Sequence, residues 1–141
     1  MRRNGFTVLE VIITIAILGF IIGITSSSFH SLAPKYRLKK AVWEVHTRLN
    51  YARYKAIFDG SKVRVTFGSA GCTIEKYDEN KKEWKKESAD FLEGVKVQAN
   101  NSPVFHPGGN VSNLASIYIF NSWGKYKITL AISGRIKIIK L

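Results

Sequence analysis

RRNGFTVLEVIITIAILGFIIGI, residues 2–24, decides how the rest of the chain is read. Its last nineteen positions, residues 6–24, carry a single charge, Glu10. They make about 28 Å of helix at 1.5 Å per residue, close to the thickness of a bilayer's hydrocarbon core. Arg2 and Arg3 precede the run and no small-residue A-x-A pattern follows it, so it reads as a retained anchor and not as a cleaved secretory signal. A carboxylate inside such a span costs a few kcal/mol unless a cation meets it or it lies near the interface. The nearest cations on the same helix, Arg2 and Arg3, are two turns away. Two readings follow: Glu10 snorkels to the interface of an ordinary anchor, or a neighbouring subunit supplies the cation. Charge counting does not orient the span, because Lys35, Arg37, Lys39 and Lys40 beyond it oppose Arg2 and Arg3.

Beyond the anchor the apolar period becomes that of an amphipathic helix. Leu38, Val42, Val45, Leu49, Ala52 and Ala56 repeat at three- and four-residue spacing, with Lys39, Lys40, Arg48, Arg53 and Lys55 elsewhere on the surface. Asp59-Gly60 stops this helix and Pro34 kinks it. Alternation then takes over, with Val63, Val65 and Phe67 facing one way and Arg64 and Thr66 the other. Further strands are predicted over residues 72–77, 95–99, 116–121, 126–132 and 135–140. Turn signals at Asp78-Glu79-Asn80, Pro107-Gly108-Gly109, Gly124 and Ser133-Gly134 separate them. Residues 75–93, with seven acids and five bases, read as a solvated hairpin.

The totals fit one domain with an accessory segment, since 141 residues support a single core. Cys72 is the only cysteine, so no intramolecular disulfide or cysteine-based zinc site can form, and Cys72 reads as a small hydrophobe. The net charge of +12 favours anionic partners: nucleic acid, lipid head groups or acidic protein. Residues 94–141 hold Lys96, Lys125, Lys127, Arg135, Lys137 and Lys140 and no acid. Trp123 and Tyr126 lie in the same stretch, where aromatic rings either stack on unpaired bases or pack in the core. His30, His46 and His106 lack ligand spacing, and no nucleophile elbow or phosphate-cradling glycine loop is present. The reading is therefore of a non-enzyme with no catalytic residue, no metal and no cofactor.

The run RRNG-FTVLEV resembles the class III signal of type IV pilins and type II secretion pseudopilins: a basic leader, Gly5, Phe6, then a glutamate five residues into the mature chain. The resemblance implies cleavage between Gly5 and Phe6 by prepilin peptidase, N-methylation of Phe6, and a cytoplasmic leader. It further implies that Glu10 neutralises the new amino terminus of an adjacent subunit during assembly. LNYARYKAIFDGSKVRVTF, residues 49–67, is similar to the GspH/FimT group of minor pilins and pseudopilins through Ala52, Arg53, Ala56, Ile57, Gly60 and Val63. Phe105-His106-Pro107-Gly108-Gly109 and Ser133-Gly134-Arg135 resemble that group's F-x-P-x-G and S-G-R signatures. In members that serve natural transformation, a G-R-x-R motif contributes to DNA binding. Gly134-Arg135-Ile136-Lys137 matches it in part, with lysine replacing the planar fork of the final arginine.

What the resemblance implies is an α+β, pilin-like fold: a long N-terminal helix, half membrane stalk and half amphipathic, packed on an antiparallel β-sheet domain. Residues 1–5 would be leader, 6–24 transmembrane stalk, 25–58 the amphipathic continuation and 59–141 the extracytoplasmic β-rich domain. The chain would cross the bacterial inner membrane once with its N-terminus in the cytoplasm and its domain in the periplasm or beyond. Partners would be other pilins or pseudopilins, prepilin peptidase and the inner-membrane assembly platform. DNA is the alternative partner, held by Arg135, Lys137, Lys125, Lys127 and Lys140.

Overall fold

The computed structural model describes residues 7–141, and the side chains of residues 7–24 and 32–141. Among the described residues one helix, α1 (Val8–Asp59), precedes nine strands. Thr7 starts the helix by accepting the Glu10 amide on its Oγ1 at 3.3 Å and on its carbonyl at 3.1 Å. This satisfies one of the donors a helix N-terminus leaves open. Gly60, at φ 61°, ends it in the left-handed conformation that glycine adopts at least cost.

The described chain divides into two units at Ala33/Pro34. In the first, the described side chains of α1 are apolar around most of the helix, and Val8, Ile12, Ile15, Phe20 and Ile22 are more than half exposed. A helix apolar on all sides has no aqueous face and is stable where other apolar matter surrounds it. Among the described residues no helix is long and apolar enough to cross a membrane. The part with described side chains, residues 8–24, measures about 25 Å against a hydrocarbon core of about 30 Å.

The second unit, Pro34–Leu141, carries the core. Leu38, Val45, Leu49, Ala52 and Ala56 of α1 are fully buried, as their spacing predicts. The small residues on this face, Ala41, Ala52 and Ala56, admit a close approach of helix to sheet. Against them pack the inner faces of two antiparallel sheets. The first contains β1 (Val63–Gly68), β2 (Gly71–Asp78), β3 (Glu83–Phe91), β5 (Val104–Phe105) and β6 (Val111–Ser112), in the order β3-β2-β1-β5-β6. The second contains β4 (Lys96–Ala99), β7 (Ser116–Asn121), β8 (Gly124–Leu130) and β9 (Ile136–Lys140), in the order β4-β7-β8-β9. Val63, Val65, Ile74, Phe105, Ile117, Ile119 and Ile128 are fully buried inward residues of these sheets. Leu92 N–H to Ala70 O (2.8 Å) ties the β1–β2 turn to the end of β3, and Val97 N–H to Ser69 O (2.9 Å) ties it to β4 of the second sheet.

Three expectations change. Residues 75–93 do form a hairpin, but its second arm is a nine-residue strand, β3, that periodicity does not reveal. β3 lies at a sheet edge, is charged on both faces and is bulged opposite Ile74/Glu75. Charges and bulges of this kind protect edges from pairing with other chains. Gly124 is no turn residue: it opens β8 opposite Asn121, and the turn is Ser122–Trp123, held by the Trp123 amide on Asn121 Oδ1 at 2.9 Å. The strand predicted to reach residue 132 ends at Leu130, because Ala131 N–H bonds to Arg135 O (2.9 Å) and Gly134 N–H to Ala131 O (2.9 Å), closing a tight turn.

Candidate functional site

Glu10 sits in the first turn of α1, where a carboxylate is favoured by the positive end of the helix dipole. Thr7-Val8-Leu9-Glu10 has the T-x-x-E spacing of a capping box, so Glu10 also belongs to the helix start. Among the described residues no cation pairs with it. Gly5 and Phe6, the predicted cleavage and methylation positions, lie outside the described residues, as do Arg2 and Arg3.

The face of α1 opposite the core is aromatic. At 3.6 residues per turn, Tyr36, Trp43, Tyr51, Tyr54 and Phe58 fall within an arc of about 80° centred opposite Leu38, Val45 and Leu49. They are 66, 68, 48, 68 and 91% exposed, respectively. Trp43 lies 5.5 Å from the ring of His46, and the Lys55 ammonium sits 6.0 Å from the Tyr51 ring. Aromatic residues are enriched in protein interfaces because they bury much area at little entropic cost. The sequence reading followed the apolar stripe and missed this one, although the 36, 43, 54, 58 spacing carries the same helical signal.

Arg53 joins the three signature segments. Its Nε donates to Gly109 O at 3.2 Å and its Nη2 to Ser133 O at 3.0 Å, so one guanidinium fastens the Pro107-Gly108-Gly109 turn to the Ser133-Gly134 turn. Gly134 lies so close that a Cβ would stand 2.6 Å from Arg53 Nε and 2.8 Å from Gly109 O, and its φ is +80°. Glycine is required there on both counts. The signatures therefore describe one structural joint, and Arg135 follows it as an exposed side chain.

Register sorts the predicted basic residues. Ile128 and Leu130 of β8 face the core, which turns Lys125, Lys127 and Thr129 outward. Thr129 pairs with Lys137, so Lys137 shares the outer face; Tyr126 pairs with Lys140, which places Lys140 on the opposite one. Lys140 instead sits 4.9 Å from the Trp123 ring, which Lys35 also approaches at 5.6 Å. Tyr126 packs against the core. The proposed set is thus divided: Lys125, Lys127 and Lys137 come together, Arg135 sits in the turn before β9, and Lys140 leaves. Lys96 joins instead, opposite Phe120.

The ion pairs leave this face untouched. Arg48–Asp90, Arg64–Glu75, Lys55–Glu87, Lys76–Asp59 and Arg37–Glu93 all involve α1 or the strands and turns next to it. Among the described residues Lys96, Lys125, Lys127 and Lys137 have no acidic partner. No cluster of three or more potential metal ligands occurs among the described residues. His106 bonds Ser112 Oγ at 2.8 Å, and Cys72 is buried.

Residues 1–26 match the family model of the prokaryotic N-terminal methylation motif. No curated protein matches the chain. Among solved structures, the minor pseudopilin EpsH of the Vibrio cholerae type 2 secretion system is similar at a TM-score of 0.63 and 16% identity, over 74% of this chain and 97% of that one. The type IV minor pilin FimU of Pseudomonas aeruginosa is similar at a TM-score of 0.61 and 15% identity, over 74% of this chain and 90% of that one. The chain therefore carries a prokaryotic N-terminal methylation motif on the fold of the minor pilins and pseudopilins, as the GspH/FimT resemblance implies.

Proposed function

We propose that this chain is a minor pilin or pseudopilin, a non-catalytic subunit of a type IV pilus or type II secretion pseudopilus. The observation that carries the reading is the exposed aromatic stripe of α1, which leaves the helix solvent-facing on the side where other protein can bury it. The motif match at residues 1–26 supports the rest of the device. Prepilin peptidase cleaves between Gly5 and Phe6, Phe6 is N-methylated, and the carboxylate of Glu10 neutralises a neighbour's new amine. In this reading residues 6–24 form the stalk in the inner membrane, residues 25–58 continue it, and residues 59–141 form the extracytoplasmic domain. Other pilins and the assembly platform are the partners. The test is Trp43→Ala/Tyr54→Ala: the variant should keep its circular dichroism and its membrane association yet be depleted at least about tenfold from sheared filaments. Wild-type abundance in that fraction would remove the stripe as an assembly surface.

A second reading is favoured by the acid-free outer face of the second sheet: a minor pilin that binds DNA during natural transformation. Lys125, Lys127, Lys137 and the adjacent Arg135 would contact phosphates without reading sequence. Deletion separates the two machines, since loss of a pseudopilin blocks protein export while loss of an uptake pilin lowers transformation with export intact. A gel shift of duplex DNA with Arg135→Ala/Lys137→Ala at low salt tests the binding itself, and unchanged affinity would remove those two contacts.

A further inference from the structure

The outer face of the second sheet is more than a patch of charge, because its lysines alternate with aromatic rings in register. β7 runs between β4 and β8, and its outward residues are Tyr118 and Phe120, since Ile117 and Ile119 are buried. Phe120 pairs with Lys96 on one side and Lys125 on the other. Tyr118 pairs with Gln98 on one side and Lys127 on the other. The Lys125 ammonium lies 4.5 Å from the Tyr118 ring and 5.8 Å from that of Phe120, and the Lys127 ammonium 5.5 Å from Tyr118. The Lys125 and Lys127 ammonium groups therefore lie over the faces of a two-ring platform, and a bound phosphate would draw them off the rings.

Two apolar hollows flank the same ridge. One of about 520 Å³ is lined by Phe91, Leu92, Val95 and Phe120, and one of about 590 Å³ by Ala70, Val95, Val97 and Phe120, with Lys96 on the rim of both. Phe91 is 75% exposed. An acid-free surface that offers cations, flat rings and apolar hollows suits a polymer of repeating phosphates and unpaired planar bases. Tyr118 and Phe120 are two residues apart on one strand, hence about 6.8 Å. That is about twice the 3.4 Å spacing per nucleotide along one strand of a duplex, so the platform fits a stretched, unstacked strand.

We propose that this face binds single-stranded nucleic acid laid along β7, with bases on Tyr118 and Phe120 or in the hollows beside Lys96, and phosphates on Lys96, Lys125 and Lys127. The proposal rests on the nucleic-acid reading of the same face and makes it specific to unpaired bases, which duplex DNA does not present.

The test is fluorescence anisotropy of the full chain in mild detergent with labelled oligo(dT) and with a duplex of equal length. Tyr118→Leu/Phe120→Leu keeps the apolar volume and removes the π faces, and a thermal melt matching wild type shows that the sheet is intact. The expected result is a loss of about tenfold or more for oligo(dT), in line with the energy of base stacking, and less than about twofold for duplex. Lys96→Gln/Lys125→Gln/Lys127→Gln should weaken both and flatten the salt dependence. Equal loss for both probes, or none for oligo(dT), overturns the stacking platform while leaving phosphate binding in place. No binding of either probe overturns both readings. Equal binding to phosphatidylglycerol vesicles, weakened by the same lysine changes, overturns the proposal in favour of an anionic lipid surface.

Discussion

Arg53 shows how one side chain can hold a fold's most distant parts together. It reaches 56 positions to Gly109 and 80 to Ser133 and satisfies carbonyls in two turns at once. Arg53→Met keeps the length of the side chain but leaves those carbonyls without a charged donor, and should cost about 2–3 kcal/mol by urea denaturation. Gly134→Ala combines a left-handed φ with a clash and is expected to cost at least as much. Cys72 makes a different claim, on pH. Burial, then the nearby Asp90 carboxylate, pushes its thiol from an ordinary 9.0 up to about 11. A raised folded value means that the stabilisation is complete below 9.0 and is lost as pH climbs toward 11, where only the unfolded chain has released the proton. Thermal melts across that window should fall more steeply for wild type than for Cys72→Val, and parallel slopes would show that the thiol contributes nothing.

At the scale of elements, α1 works with two faces. Its core face is held by fully buried Leu49, and Leu49→Ala should cost about 2–5 kcal/mol, read from the shift in a denaturation midpoint. A surface position such as Lys39 should change stability by less than about 0.5 kcal/mol. This core face was legible in the sequence because burial imposes a helical period on Leu38, Val42, Val45 and Leu49. The sheet strands β1 and β7 were legible for the same reason at period two. β3 was not, because an edge strand with Trp84, Lys85, Lys86 and Glu87 in succession has no buried face to impose alternation. The basic site was half legible: the composition of residues 94–141 announced it, but the side on which each lysine falls is set by pairing register. Register moved Lys140 to Trp123 and brought Lys96, Tyr118 and Phe120 into the site. Glu10 was legible because a charge in an apolar run stands out locally.

Across the whole molecule, charge and apolar surface are assigned to different tasks. Carboxylates are spent on ion pairs along α1 and the first sheet, while the second sheet keeps unneutralised lysines on its outer side. The apolar N-terminal part of α1 and the aromatic stripe have no use in a free monomer in water; both would have one in the assembly proposed for this chain. Intact-mass analysis of the chain from its native membrane should find a species that starts at N-methylated Phe6. A species that retains residues 1–5 would contradict processing between Gly5 and Phe6. Glu10 is proposed to serve assembly and not anchorage, which the partition of Glu10→Ala between the membrane and sheared filaments tests. Wild-type amounts are expected in the membrane fraction, with a loss of about tenfold or more from filaments, as befits the removal of a charge partner in a low-dielectric setting. Wild-type amounts in both fractions would contradict it.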